Sequence, residues 1–407
     1  MKSAFNQLLK ESPIVITGMG CFTAAGVSVD ELMENVLAGK PSAQTHPDFS
    51  KPACRAPEID VRIPDLRFVR RMDRSVQMAW IAAQQAWTGA SVKNVDAERI
   101  GISVGTSRGP LHKSAESFAR AGDPRFPPSL GADSTFGVAA GALAHGFGIK
   151  GPGVTLSATC ASAANAIAFA AEQILLGKAE MMLAGGTEAP LHSSTFSQLD
   201  AAGVLGSHPD AAFACRPFDR NRNGMVLGEG AAFLVLELLR SAQARGAKPL
   251  ARLAGWASGF DLSGRTGVDE AGAGLIQVMR EALSVADLSL DDIDYINAHG
   301  TGTAMNDRAE AAAVKSVFGE RAVHLPCSST KPVTGHCLGA TPAIEAIIGI
   351  ETIRRQQIPP TATCHNPDPL CAIDAVPQIG RAGVVRTTMS NSLGFWGCHA
   401  ALIFSAL

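Results

Sequence analysis

The stretch "GVTLSATCASAANAIAFAAEQILLGKAEMMLAGG", residues 153–186, reads as strand, helix and strand. Its first run is small and β-branched. Residues Ala161 to Leu176 are helix-forming and rich in alanine, and the run from Glu180 is apolar again. Cys160 stands at the junction of strand and helix. One reading makes it a small buried hydrophobe. The other makes it a nucleophile mounted where unpaired N–H groups and the positive end of a helix dipole favour thiolate. The stretch by itself supports both equally.

The same alternation continues in both directions. Strand-like runs begin near Pro13 (PIVITG), Arg99 (RIGISVG), Gly153, Glu180 and Ala231 (AAFLVLEL). A second series begins at Ala251 (ARLAGWAS), Asp294 (DYINAHG), Ala322 (AVHLPCSS), Val384 (VVRTTMSN) and Ala400 (AALIFSA). Helix-like segments lie between them at Asp73–Gly89, Ala161–Leu176, Ala273–Ala286, Arg308–Phe318 and Thr341–Arg355. This pattern predicts an α/β fold with largely parallel sheets. It divides into two similar halves, residues 1–245 and 246–407, joined near Ser241 to Lys248. The early GMG at Gly18 to Gly20 is no dinucleotide loop, because Thr23 stands where the third glycine of GxGxxG belongs.

Composition removes several function classes. The 407 residues are 46% hydrophobic and 18% charged, with a formal net charge of −2. Nothing general draws such a chain to nucleic acid or to an anionic membrane. The basic run RFVRRMDR, Arg67 to Arg74, is either a solvated helix face or a patch for an acidic carrier. MKSAFNQLLKESP lacks the apolar core of a signal peptide, and no run of about 18 apolar residues predicts a membrane span. The nine cysteines form no CxxC pair, so neither a disulfide framework nor a zinc ribbon is expected, and a reducing, cytoplasmic location is.

Two further motifs bear on Cys160. In NAHGTGTAMNDRAE, residues 297–310, His299 ends a strand-like run beside glycine. Thr301 and Thr303 offer short hydroxyl donors suited to an amide-bearing ligand arm. In SSTKPVTGHCLGATPAIEAI, residues 328–347, Lys331 and His336 lie in a glycine-punctuated loop and Glu345 in an almost wholly apolar helix. A buried carboxylate needs a partner, and Lys331 is the natural one. Each residue also has a bland reading: His299 as an ordinary satisfied histidine, Lys331 as a surface charge, Glu345 as a solvated helix position. Together, one cysteine and two histidines fit nucleophilic chemistry on an acyl group or thioester. Two histidines that both donate hydrogen bonds suit a developing enolate better than the single base of a cysteine protease. The adjacent pairs His336–Cys337 and Cys364–His365 make no chelating set, and no metal is expected.

With these motifs in order, the chain resembles the β-ketoacyl-acyl carrier protein synthases of the elongating type I/II, which include the ketosynthase subunits of type II polyketide systems. The resemblance runs from VITGMG at Val15 through GGTEA at Gly185 and RPFDRNRNGMVLGEGAAFLVLE at Arg216. It continues through NAHGTGT, STKPVTGHCLGA and NSLGFWG at Asn391 to AALIF at residues 400–404. It implies the thiolase fold, two pseudo-equivalent halves in a five-layered α-β-α-β-α arrangement. It implies a homodimer, or a heterodimer with a homologous chain-length factor. The implied reaction is a decarboxylative Claisen condensation between an acyl group on Cys160 and malonyl-acyl carrier protein, in fatty-acid or polyketide and polyene elongation. By the same resemblance His299 and His336 are catalytic, Lys331 organises the site and Glu345 is its partner. The N–H groups of Cys160 and Phe395 form an oxyanion hole, and Thr301 and Thr303 bind the phosphopantetheine arm of the carrier. No metal or redox cofactor is implied. Two alternatives differ in sequence: a catalytically silent partner subunit commonly lacks the nucleophile, and a thiolase using coenzyme A has a different histidine–cysteine pattern.

This chain departs from the family pattern at several positions. Trp396 replaces a glycine in the gate around Phe395. Met225 replaces an aromatic residue and is expected to exchange volume with Trp396. Thr159 stands before the cysteine in place of alanine. Arg108 stands where an apolar or small residue usually lines the acyl tunnel, and is expected to meet an acidic partner, across a dimer if need be, or a polar acyl end. The segment GFDLSGRTGVDE, Gly259 to Glu270, is shorter than the family's second gate loop.

Overall fold

Ten apolar runs become strands, and their order repeats. The computed structural model describes residues 2–60, 67–93, 95–262, 264–265 and 267–407. The first series gives β1 (Ile14–Thr23), β2 (Ile100–Gly105), β3 (Gly153–Leu156), β4 (Met181–Glu188) and β5 (Gly230–Leu238). The second gives β6 (Ala251–Phe260), β7 (Tyr295–Asn297), β8 (Cys327–Ser328), β9 (Thr387–Gly394) and β10 (Cys398–Ser405). The spatial order is β3-β2-β4-β5-β1 in one series and β8-β7-β9-β10-β6 in the other, so corresponding strands occupy corresponding places. The two sets meet through β1 and β6, which pair only at Ile14↔Leu253, Val15↔Arg252 and Ile16↔Ala251.

The sheets are mixed, not largely parallel. β2 is parallel to β3 and β4, and β7 is parallel to β8 and β9. The remaining neighbours, from β4 through β5, β1, β6 and β10 to β9, are antiparallel. An apolar run buried on both faces carries no directional signal. Direction is set by the connections, which an alternation count does not resolve.

Helices fill three layers around these strands. α1 (Arg74–Gly89) packs on β1 and β5, while α3 (Ala273–Ala286) packs on β6 and β10 and against α4 (Ala304–Phe318). Between the two sets of strands lie α2 (Ser162–Leu175), on β4 and β2, and α5 (Thr341–Arg355), on β9 and β5. This is the five-layered arrangement implied by the resemblance. In its middle layer α5 is buried from Thr341 to Ile353. β1, β2, β4 and β5 are buried at every position.

Local rules explain the helix limits. Asp73 caps α1 by accepting the Ser75 N–H, and α5 ends where Gln356 turns left-handed. The limits Ala273–Ala286 and Thr341–Arg355 agree with the sequence reading. α4 begins four residues before the expected Arg308. The run from Ala322 supplies only the short β8, because residues Gly319–Val323 form a 3-10 turn. Residues 67–72 of the basic run are turns before α1, so they are no helix face.

The alanine-rich face of α2 lets it approach β2 closely. A Cβ on Gly105, at the end of β2, would lie 2.5 Å from the Ala163 Cα and overlap the backbone of Ser162 and Ala163. Gly105→Ala should therefore push α2 off the sheet and lower stability by about 1–3 kcal/mol, read as a shift of the urea midpoint. An unchanged midpoint would mean that this close approach is not required.

Candidate active site

Cys160 sits one residue before Ala161, the N-cap of α2. The turn is held by Ser162, whose hydroxyl accepts the Ala158 N–H at 2.9 Å and donates to the Thr159 carbonyl at 2.6 Å. Thr159 is left-handed, with φ 48°, and its hydroxyl donates to the Phe395 carbonyl at 3.3 Å. The departure from alanine at this position thus ties the Cys160 turn to the loop that carries Phe395. A Cβ on Gly394 would overlap the Thr159 hydroxyl and lie 3.0 Å from the Cys160 nitrogen, so glycine is required there. Among the described residues neither the Cys160 nor the Phe395 N–H donates to a backbone acceptor.

Cys160 opens into a cavity of about 530 Å³. His299, His336, Thr301, Thr303 and Phe395 line the same cavity, although these residues lie far apart in the chain. The two imidazoles stand edge to face with centroids 5.2 Å apart. The Nδ1 of His336 lies 3.0 Å from the Thr341 hydroxyl; a hydroxyl donating there leaves the imidazole proton on Nε2. Among the described residues the Nδ1 of His299 is buried without a protein partner. Thr301 and Thr303 hydroxyls are 3.0 Å apart. A second cavity of about 650 Å³, beside Glu237 and Arg245, holds none of these side chains. Among the described residues no group of three or more His, Cys, Asp or Glu side chains is placed to hold a metal.

Lys331 and Glu345 lie behind the cavity wall. The Lys331 ammonium is fully buried, donates to Glu345 Oε1 at 2.7 Å and also donates to the His299 carbonyl. Sequence reasoning missed the matching carboxylate on the other side. Glu310 accepts the N–H of His299 at 2.8 Å and that of Gly300 at 2.7 Å. The signal was present: Glu310 lies in an alanine-rich helical run, the same pattern that marked Glu345. Glu188, inside GGTEA, was also missed. It accepts the N–H groups of Ser107 (2.7 Å), Arg108 (2.9 Å) and Gly339 (3.1 Å), clamping two loops at the cavity.

Burial dominates the electrostatics. It pushes the Cys160 thiol up to about 12; Lys331 and Arg108 pull it down and Glu188 pushes it further up. The resting group is therefore a thiol, not the thiolate expected from the helix terminus alone, because desolvation of the anion outweighs the dipole. Burial also holds His299 and His336 well below 6.5, reinforced in both by the Lys331 charge. Both imidazoles are neutral donors at neutral pH. Glu310 and Glu345 are raised by burial to about 7, with Lys331 opposing the rise.

The positions that depart from the family pattern, Arg108, Thr159, Met225 and Trp396, all line this cavity. Met225 is buried with Phe196, Leu205, Leu338 and Phe395. Trp396 is 59% exposed, left-handed (φ 63°, ψ 24°), and lies under the Arg265 guanidinium at 5.8 Å. The Trp396 N–H donates to the Arg265 carbonyl at 3.0 Å, linking the gate to the 259–270 segment, of which Ser263 and Thr266 lie outside the described residues. Arg108 lines the cavity, and its guanidinium donates to the Gln198 amide oxygen at 2.6 Å. Within this chain its partner is a neutral amide, not the acid expected.

The sequence matches the beta-ketoacyl synthase N-terminal domain over residues 11–242 and the C-terminal domain over residues 250–365. It is 37% identical to a 3-oxoacyl-[acyl-carrier-protein] synthase 2 of Staphylococcus aureus, covering 96% of this chain and 97% of that protein. The fold is similar to that of a type II polyketide ketosynthase solved in complex with its acyl-carrier protein, with TM-score 0.90 and 30% identity over 97% of this chain and 99% of the other. It is also similar to the ishigamide ketosynthase/chain length factor, with TM-score 0.88 and 31% identity over 97% and 99%.

The two histidines should stay neutral on mild acidification. Nitrogen-15 shifts of the imidazoles, followed from pH 8 to 6, should show His299 and His336 flat while solvent-exposed histidines titrate. Titration of either ring near 6.5 would refute the burial argument. The linked stabilities oppose each other. Below 6.5 the unfolded chain binds protons that these rings refuse, so their contribution falls with pH. The raised carboxyls contribute stability that is full below 4.5 and lost as the pH rises through about 7.

Proposed function

The chain belongs to the β-ketoacyl synthase family, a condensing enzyme of fatty-acid or polyketide chain elongation, and we propose that Cys160, His299 and His336 carry its reaction. The observation that carries this assignment is their convergence on one cavity from distant parts of the chain. In the first step the Cys160 sulfur attacks the acyl thioester of a carrier. The S–C bond to Cys160 forms, the carrier's C–S bond breaks, and the thiol proton ends on the departing carrier sulfur. The Cys160 and Phe395 N–H groups hold the oxyanion. In the second step a malonyl thioester loses CO2, and the electron pair of the broken C–C bond becomes an enolate. Its oxygen accepts N–H donation from His299 and His336. In the third step the enolate carbon attacks the acyl carbon, the new C–C bond forms, the Cys160 S–C bond breaks, and the departing thiolate takes a proton from water.

Lys331 acts through His299, holding its carbonyl and disfavouring its protonation, and Glu345 holds Lys331 in place. Thr301 and Thr303 bind the phosphopantetheine arm. The thioester and the lost CO2 supply the driving force, so the reaction as written needs no metal or redox group. The carrier is acyl carrier protein, and exposed Arg67, Arg70 and Arg71 supply a cationic landing place; Arg74 is already paired with Glu229 at 2.7 Å. We divide the chain at 245/246, where the strand order begins again. The cytoplasm suits nine unpaired cysteines.

A second ketosynthase-fold chain, a copy of this one or a chain-length factor, covers the part-exposed outer strand β3 and the exposed Phe118 and Phe136. Light scattering should give twice the chain mass for the homodimer; a monomer alone, with the chain folded, would point to a missing homologous partner.

Intact-protein mass spectrometry after incubation with an acyl-carrier thioester should show one acyl group, on Cys160, and none on Cys160→Ala. His299→Ala and His336→Ala should still acylate but condense about 10²–10³-fold more slowly. A folded protein that is not acylated by any carrier thioester would end this reading.

A further inference from the structure

Among the described residues lining the cavity, Arg108 is the only arginine or lysine. Its backbone is fixed: Glu188 accepts its N–H at 2.9 Å, while the Glu188 carboxylate is also engaged by Thr106, Ser107 and Gly339. That carboxylate is occupied by backbone N–H and hydroxyl groups and makes no ion pair with the guanidinium. Among the described residues the guanidinium makes one hydrogen bond, to the neutral Gln198 amide. Among the described residues no carboxylate forms an ion pair with it. The neighbouring wall is apolar, formed by Leu199, Val204, Met225, Leu338 and Phe395.

A guanidinium carries five N–H donors in a rigid fork. A saturated acyl chain filling this cavity would strip water from those donors and return nothing. A carbonyl or carboxylate oxygen on the chain would accept from them. The Arg108 charge also lowers the Cys160 thiol, which agrees with the guanidinium lying close to the acyl attachment point.

We propose that Arg108 is a specificity-determining residue that selects oxygenated acyl chains, seating a keto or carboxylate oxygen of the chain held on Cys160. This rests on the reading of Cys160 as the acyl acceptor. It also means that the reaction supplying this enzyme must deliver a chain that still carries such an oxygen, rather than a fully reduced one.

Three carrier thioesters of equal chain length test it: octanoyl, oxo-octanoyl and the ω-carboxy analogue suberoyl. The readout is the rate of adduct formation on Cys160 in the full chain, by mass spectrometry. At least one oxygenated chain should load about tenfold or more faster than octanoyl, as expected for a hydrogen bond to a charged donor. The faster of the two identifies ketone or carboxylate. Arg108→Met should bring the ratio close to one. Arg108→Lys should keep a preference for suberoyl but lose that for the ketone, since an ammonium is a point charge without the fork. Octanoyl loading as fast as both oxygenated chains by the unmodified protein would overturn the proposal, whether or not the variants fold. Absence of loading from all three would instead overturn the assignment of Cys160, so the two failures are distinct.

Discussion

One buried ammonium joins the parts of this site. Lys331 donates to Glu345 on the middle-layer helix α5 and to the carbonyl of His299, and the loop it begins also carries His336. The charge is fully withdrawn from water, so it is tolerated only because Glu345 and a carbonyl replace the lost solvation. Removing either partner of such a pair typically costs about 3–5 kcal/mol, since the other charge is then left alone. Glu310 completes the hold on His299 from the other side by accepting two successive N–H groups. The same positive charge disfavours protonation of both imidazoles. Position and protonation state of the histidines thus have a common cause.

Cys160 is governed by the opposite balance. α2 presents its N-terminus to Cys160, which favours an anion, yet the surroundings that exclude water disfavour it more strongly. The helix can be so deeply placed because its buried face is mostly alanine and because Gly105 leaves room for its first turn. Small side chains here are a condition for the site, since they decide how near Cys160 lies to the loops that bring the histidines.

Much of this was legible in the sequence. The strands were recognisable because their residues are buried on both faces and read as apolar runs. α3 and α5 were recognisable to the residue because their periodic patterns end at turn-forming positions. The Lys331–Glu345 pair followed from one rule, that a carboxylate in an apolar helix needs a counter-charge. Glu310 and Glu188 escaped that rule because backbone N–H groups and hydroxyls, not a counter-charge, satisfy them. Strand direction escaped because apolar runs look alike in parallel and antiparallel pairing. The partner of Arg108 escaped because Gln198, a neutral residue ninety positions away, gives no sign in sequence. The course of Trp396 escaped because its left-handed backbone carries the ring outward beneath Arg265.

The sequence by itself determined the α/β class, the repeat of two strand series, the motifs that mark the family, and which residues have the chemistry to act. Those properties depend on local periodicity, on burial preference and on ionisable group type, all of which are written residue by residue. Only the tertiary structure decided that Cys160, His299 and His336 share one cavity, that the thiol rests protonated, that the histidines are neutral, and that Arg108 lines that cavity with no carboxylate paired to it among the described residues. Those properties depend on distance and on the removal of water, which arise when segments remote in the chain are packed together.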